Sequence, residues 1–320
     1  MRIPAVLFRL LAAAALVLTP AFVLAELKSQ RAAGAAAPAA PAACPTVGSG
    51  GVVTPGPPYT GVNWVGCNLS NANLSGFDFT NADLSLANFS LANLSYSNLT
   101  NANLSGSILY AYLNNANFTG ANLSNAYISG AIVSESNFTN ANLAGANISN
   151  SGVQRSNFTG ANLTGVNFTF TNLAGAILLS ANLNGVKSGS ITGVPVQMPP
   201  GWRFMNGYLV GPQADLTWAN LATLDLSGMN LSGAIFNNAV LTSTNFTRAD
   251  LSQVDIRKAG ITGTVFLRAD LTNADFSGGY GKPAVYTNTA LLNTTCPDGA
   301  RVSSPRACWE TLVFVSGVQR

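Results

Sequence analysis

The chain predicts a solenoid, a rod built by stacking short repeats. Two observations predict it. The first is a five-residue beat of small residue, Asn or Asp, bulky apolar residue, then two polar or small ones, as in Ala72-Asn73-Leu74-Ser75-Gly76 and Ala161-Asn162-Leu163-Thr164-Gly165. Five matches neither the 3.6-residue period of a helix nor the two-residue period of a strand, so the chain must turn at regular short intervals. The second is that Ala, Ser, Thr or Val stands two residues before almost every bulky centre. Each unit therefore points one large and one small side chain inward and its other three residues outward.

The bulky centres run from Trp64, Leu69 and Leu74 to Leu109, resume after one short unit at Leu113, and hold through Leu183. A second series runs from Leu216 to Phe276. Over residues 62–278 the units resemble the pentapeptide-repeat family, whose consensus is Ala-(Asn/Asp)-Leu-x-x. The resemblance implies an all-β fold, a right-handed quadrilateral parallel β-helix with four units per square coil, coils stacking about 4.8 Å apart. The sequence tests the coil length. At a period of 20, Phe118, Phe138 and Phe158 share a face with Leu178; Phe79 and Leu99 join them if one residue is missing between Leu109 and Leu113. That core ladder implies about nine coils with one loop insertion, a rod of about 45 Å.

Taken in order, residues 1–25 carry Arg2 and Arg9, an apolar run and Val23-Leu24-Ala25, the pattern of a secretory leader cleaved after Ala25. An uncleaved membrane anchor is the alternative, since the apolar run approaches spanning length. Residues 26–43 are an Ala/Pro-rich linker. Residues 44–61 form an N-terminal cap, 62–183 the first β-helix block, 184–213 an irregular coil with a loop, 214–278 the second block, and 279–320 a C-terminal cap. Solenoid ends expose an apolar cross-section and unpaired backbone, so both need covering. The positions of the four cysteines favour Cys44–Cys67 and Cys296–Cys308 over the other two pairings, because each would close a short local loop; disulfides also fit an oxidising compartment. The Pro199-Pro200-Gly201-Trp202 and Gly207-Tyr208-Leu209-Val210-Gly211-Pro212 stretches resemble an insert of exported bacterial pentapeptide-repeat proteins. The insert is read as an irregular coil carrying a protruding hairpin-like loop, with Trp202, Arg203, Phe204 and Tyr208 as the candidate binding residues; the alternative is that these aromatics fold onto the rod's outer wall.

Composition removes several function classes. Only 8% of residues are charged and there is no His, the commonest general base and metal ligand. No catalytic, metal or cofactor site is expected, and the chain is read as no enzyme. Without residues 1–25 the formal charge falls from +3 to +1, which offers nucleic acid little attraction. Glu135 and Arg155, 20 apart, are expected to pair across coils. Asp250 with Asp270, Asp255 with Asp275, and Arg248 with Arg268 repeat at the same interval; the arginines are read as neutralising ordinary repeat carboxylates, with a calcium site as the alternative. Sixteen Asn-x-Ser/Thr triplets are a by-product of the repeat and carry no evidence of glycosylation. Tyr110, Tyr112 and Tyr127 fall at outward positions near one corner and form a candidate aromatic cluster for a sugar ring or a partner.

The leading expectation is an exported, non-enzymatic scaffold, secreted or at the bacterial cell envelope. Its partner would be an unknown protein or a polysaccharide at the cell surface, with membrane contact only if the leader is retained and with end-to-end pairing of rods left open. An adhesin-like polysaccharide- or surface-binding module is the first alternative. Some family members mimic a DNA duplex to regulate a topoisomerase, but that needs rows of carboxylates and a cytoplasmic address. Ice binding would need regular Thr rows on one face.

Overall fold

The computed structural model describes residues 43–302 and Cys308. The expected leader, 1–25, and linker residues 26–42 lie outside the described residues, as does most of the chain after 302.

Each unit folds for a local reason. The Asn or Asp before the centre is extended and bridges to its equivalent one coil away, and its side-chain oxygen accepts from the backbone N–H two residues on, as Asn122 does from Ser124 at 3.2 Å and Asn137 from Thr139 at 3.1 Å. This is an Asx turn, which Asn and Asp alone make well. The bulky centre then points inward, and its carbonyl accepts from the next small residue's N–H, Ala126 N to Leu123 O at 3.0 Å. Between them sits a residue with positive φ, such as Asn125 at 55° or Gly130 at 75°. A four-residue turn of this hydrogen-bonded kind demands a left-handed third residue, which explains Gly and Asn at the end of the unit.

Successive units turn the chain through four walls, so parallel bridges recur every 20 residues: Asn117 to Asn137 to Asn157, and Asn122 to Asn142 to Asn162. We number the walls in chain order. Wall 1 contains Asn122 and Asn142, wall 2 Tyr127 and Asn147, wall 3 Tyr112 and Ile132, and wall 4 Asn117 and Asn137. Backbone bonds of 2.6–3.2 Å, such as Leu123 N to Asn142 O, tie each coil to the next. Beyond these isolated bridges the described strands are three short antiparallel hairpins: β1 (Thr46–Val47) with β2 (Val53–Thr54), β3 (Arg203–Met205) with β4 (Tyr208–Val210), and β5 (Thr294–Thr295) with β6 (Arg301–Val302).

The interior is filled. Phe79, Leu99, Phe118, Phe138, Phe158 and Leu178 are all at most 1% exposed and form the expected ladder. Phe118, Phe138 and Phe158 stack with centroids 4.7 and 4.9 Å apart and planes within 4°, the strand spacing imposed on the rings. Phe168 meets Phe158 edge-on across the bore at 6.2 Å. Burying each such side chain contributes about 2–3 kcal/mol. Most hydroxyls in the small slot donate to the carbonyl of the centre one coil back: Ser156 to Val133 O at 2.6 Å, Thr244 to Leu221 O at 2.9 Å.

The short unit is absorbed at a corner. Bridges there span 19 residues, Asn93 to Tyr112 and Ile108 to Tyr127, then return to 20 at Tyr112 to Ile132. The interruption is narrower than residues 184–213. Parallel bridges continue through Asn182, Lys187, Thr192 and Gln197, and the stack rejoins by pairing Lys187 with Asp215. That step spans 28 residues instead of 20, so eight extra residues lie between Gln197 and Val210. The sequence suggested a wider gap because Gly and Pro there replace the repeat's side chains while its backbone pairing persists. The second block is likewise longer than 214–278: Gly260 pairs with Tyr280, Asp270 with Ala290 and Asp275 with Thr295. The wall 2 column from Asn68 to Thr295 is therefore longer than about nine coils.

Both ends are closed. At the N-terminal end Tyr59, 3% exposed, stacks on Phe79 with centroids 5.2 Å apart and lies against Trp64 and Phe77. Cys44 bonds to Cys67, which fills an inward small slot at 1% exposure. Cys296 bonds to Cys308, both buried. The pairings are those expected from spacing.

Candidate functional site

With the bore filled, any site lies on a wall or an end. Among the described residues no group of three or more His, Cys, Asp or Glu side chains is placed to hold a metal ion.

The insertion was the first candidate, and the structure turns its aromatics inward. Asn206 and Gly207, with φ of 48° and 78°, form the tight turn between β3 and β4, the geometry an Asn-Gly pair favours. Trp202 is 8% exposed and covers Gly211 so closely that a Cβ there would clash with the indole. Tyr208 is half-buried; its hydroxyl accepts from Asn220 N at 3.1 Å, while Asn206 donates to Asn220 O at 3.2 Å. Leu209 N donates to Ser188 Oγ at 3.0 Å, and Phe204 packs against the core. The hairpin is thus strapped to the rod rather than protruding, and its aromatics fold onto the rod as the alternative reading has it. Of the four candidates only Arg203 is exposed, and it helps hold the Asp225 carboxyl below its ordinary range, after the larger effect of hydrogen bonds from Ser227. Apolar rings beside a packed rod gain more from burial than from protrusion.

The charged columns resolve differently from expectation. Glu135 and Arg155 do pair across coils. Around Asp255 the neutralising cation is Arg257, at 2.6 Å from Asp255 and 4.0 Å from Asp275, whereas no ion pair joins Arg248 or Arg268 to the aspartates. Partial burial raises the Asp255 pKa, but hydrogen bonds from Arg257 and from Asn237, at 2.9 Å, outweigh it and hold the carboxyl below its ordinary range. Arg257 was missed because it follows its own Asp by two residues and reaches back, a contact the 20-residue period does not show.

The polar walls are not equivalent. On wall 4, Asn98, Asn117 and Asn137 each donate to a Thr hydroxyl one coil away at 2.9–3.0 Å, and Thr100, Thr119 and Thr139 donate to their own Asn oxygens at 2.6 Å. Wall 1 carries an amide ladder from Asn103 to Asn162 at 3.0–3.2 Å. These hydrogen bonds are spent within the rod. On wall 3, by contrast, Asn73, Asn93 and Asn172 accept their Asx bonds, while the hydrogen bonds found show no acceptor for their amide NH₂ groups.

The aromatic cluster lies on the edge between walls 2 and 3. Tyr112 is 48% exposed, Tyr110 and Tyr127 are half-buried, and the Tyr110 ring lies against Gly130. Leu91 and Tyr112 line a groove of about 340 Å³ with Asn71, Asn73 and Asn93. Sequence reading missed Ile132, Phe170, Trp218, Val240 and Tyr280, which the stack brings to the same wall or its edge. Their register was the available signal, but it emerges only once the missing residue and the eight extra ones are counted.

The family model described as pentapeptide repeats matches in eight copies, over residues 67–106, 110–134, 121–151, 154–187, 214–253 and 249–279. No match was found among curated protein sequences. Similar solved structures include HetL, a pentapeptide repeat protein involved in heterocyst differentiation regulation from the cyanobacterium Nostoc (22% identity, 76% of this chain and 90% of that one, TM-score 0.39). Another is a pentapeptide repeat protein of the Arabidopsis thaliana thylakoid lumen (35% identity, 34% and 69%, TM-score 0.16). A third is the fluoroquinolone resistance protein QnrB1 (18% identity, 71% and 91%, TM-score 0.23). On the repeat match, which spans more than half of its length, the chain belongs to the pentapeptide-repeat family of right-handed β-helices, whose members are generally non-catalytic structural proteins.

Proposed function

We propose that this chain is an exported, non-enzymatic interaction scaffold, acting at the cell envelope or outside the cell. The observation that carries the reading is a rod with a filled bore and a disulfide at each end. A filled bore leaves only the outer surface for function, and disulfides persist in oxidising compartments. The leader-like residues 1–25 support the same address. The duplex mimicry of some family members raises a topoisomerase reading, but here the carboxylates of wall 2 are interleaved with Lys187 and Arg257, at 3.6 Å from Asp215 and 2.6 Å from Asp255. Such a wall does not imitate a phosphate row.

The test is fractionation of cells carrying the full chain, with the mature N-terminus sequenced and thiols titrated. The expected outcome is an envelope or extracellular chain beginning near Glu26 with no free thiol. A reduced chain in the cytoplasm with Met1 retained would overturn it.

A further inference from the structure

Exposed large apolar side chains are not scattered over this rod. Leu91, Tyr112, Ile132, Trp218, Val240 and Tyr280, 38–73% exposed, lie on wall 3 or at its edge with wall 2. Phe170 is on the same edge; Tyr96, Val194 and Val196 are on wall 3 or its other edge. Val52 continues the wall at its head, where Gly51 O accepts from Asn73 N at 2.8 Å. Among the described residues only Leu179 and Leu292 of this class lie elsewhere. A concentration on one side of a rod marks an interaction surface.

Two further observations say what kind. First, two tyrosine rings rest on glycine. A Cβ on Gly260 would sit 2.8–3.0 Å from the Tyr280 ring, so that ring rests on bare backbone while Tyr280 remains 61% exposed. The Tyr110 ring rests on Gly130 in the same way. Glycine at these two positions leaves room for the ring that a side chain would fill. Second, Trp218, Phe170 and Leu91 hold φ of 65°, 59° and 60° at corners where the repeat most often places Gly or Asn. A bulky residue there costs about 1–2 kcal/mol, and exposure returns none of it. Beside these platforms stand the free amides of Asn73, Asn93 and Asn172. The wall is nearly uncharged: Glu135 and Arg155 at its edge neutralise each other, leaving Lys258 and Lys282.

Resting on the scaffold reading above, we propose that wall 3 binds a neutral polysaccharide laid along the rod axis. The apolar faces of sugar rings would stack on Tyr112, Trp218 and Tyr280, and sugar hydroxyls would accept from the Asn amides. An acidic glycan would need rows of Lys or Arg that the wall lacks. An interface with a second copy or another protein would bury amides that need polar partners, and a polysaccharide supplies those at every residue.

Affinity electrophoresis of the disulfide-bonded chain in gels containing hydroxyethylcellulose, glucomannan or, as the acidic control, alginate tests this. Retardation by a neutral polymer and none by alginate is expected. Tyr112→Ala, Trp218→Ala and Tyr280→Ala should each weaken binding about two- to tenfold, as loss of one stacked ring does. Tyr112→Phe and Trp218→Phe should retain most of it, and Leu179→Ala on wall 4 should change nothing. Circular dichroism checks that each variant is folded. Absence of retardation by either neutral polymer, retardation by alginate alone, or ring-deletion variants that bind like wild type would overturn the proposal. So would sedimentation as a dimer that Trp218→Ala dissociates, since the wall would then be a self-association face. Reducing ends released from a bound polymer would support the site while refuting the non-enzymatic scaffold, so the two readings fail separately.

Discussion

At the scale of single residues, the inward small slot shows how the rod tolerates polar atoms in a dry bore. A buried hydroxyl without a partner costs about 1–3 kcal/mol, whereas a bonded one is close to neutral. Ser136, Ser151, Ser156, Thr171, Thr244 and Thr264 all donate to the centre carbonyl one coil back. Ser107, fully buried in the equivalent slot, finds no partner. The two classes should respond to the same truncation with opposite signs. Ser107→Ala is expected to raise stability by about 1 kcal/mol, and Ser156→Ala to lower it by about 1 kcal/mol, read as shifts of the urea midpoint. Equal shifts would show that Ser107 is bonded in solution.

At the scale of the coil and its ladders, much was legible because each residue type answers one local demand. Asn before the centre makes the Asx turn, Gly or Asn after it supplies the left-handed corner, and the 20-residue recurrence of Phe138 and Phe158 fixes four units per coil. Contacts that leave the period were not legible: the Trp202 indole lying on Gly211, and Arg257 reaching back to Asp255. Nor did the period reveal which Asn rows close on themselves: wall 4 closes through its Thr hydroxyls and wall 1 amide to amide. The Asp255 ladder can be probed by pH. Its carboxyl is held below the ordinary range in the folded rod, so its contribution is fully present above the unfolded value near ~3.9 and is lost as pH falls through the folded value. Asp255→Asn keeps an acceptor for the Arg257 N–H and removes only the charge. Thermal melts should find the variant less stable than wild type at pH 7, with the gap closing as pH falls below about 4. A gap independent of pH would assign the effect to packing.

At the scale of the whole molecule, the two irregularities of the repeat share one property: neither rotates the walls. Losing one residue at the Tyr110 corner and gaining eight before Val210 both return the chain to the wall it left, so Tyr112 and Ile132 lie in line with Val240 and Tyr280. The inward pattern alone does not require this. A change of five residues preserves every inward position yet turns all later coils by a quarter. Deleting residues 137–156 removes one full coil and would place Asn157 on Asn117; deleting residues 137–141 would leave each centre inward but move Trp218, Val240 and Tyr280 off the wall that holds Tyr112. In a stack where each coil touches only its neighbours, both deletions should fold, with the shorter one losing more stability because it breaks the Phe118–Phe138–Phe158 stack and the Asn–Thr ladder. Retardation by neutral polysaccharide separates them. The 20-residue deletion should keep most of the affinity, and the five-residue deletion should fall to what half a wall can hold, about tenfold weaker or more. Equal affinities in two folded proteins would show that alignment of wall 3 across the insertion is a by-product of stacking rather than the basis of binding.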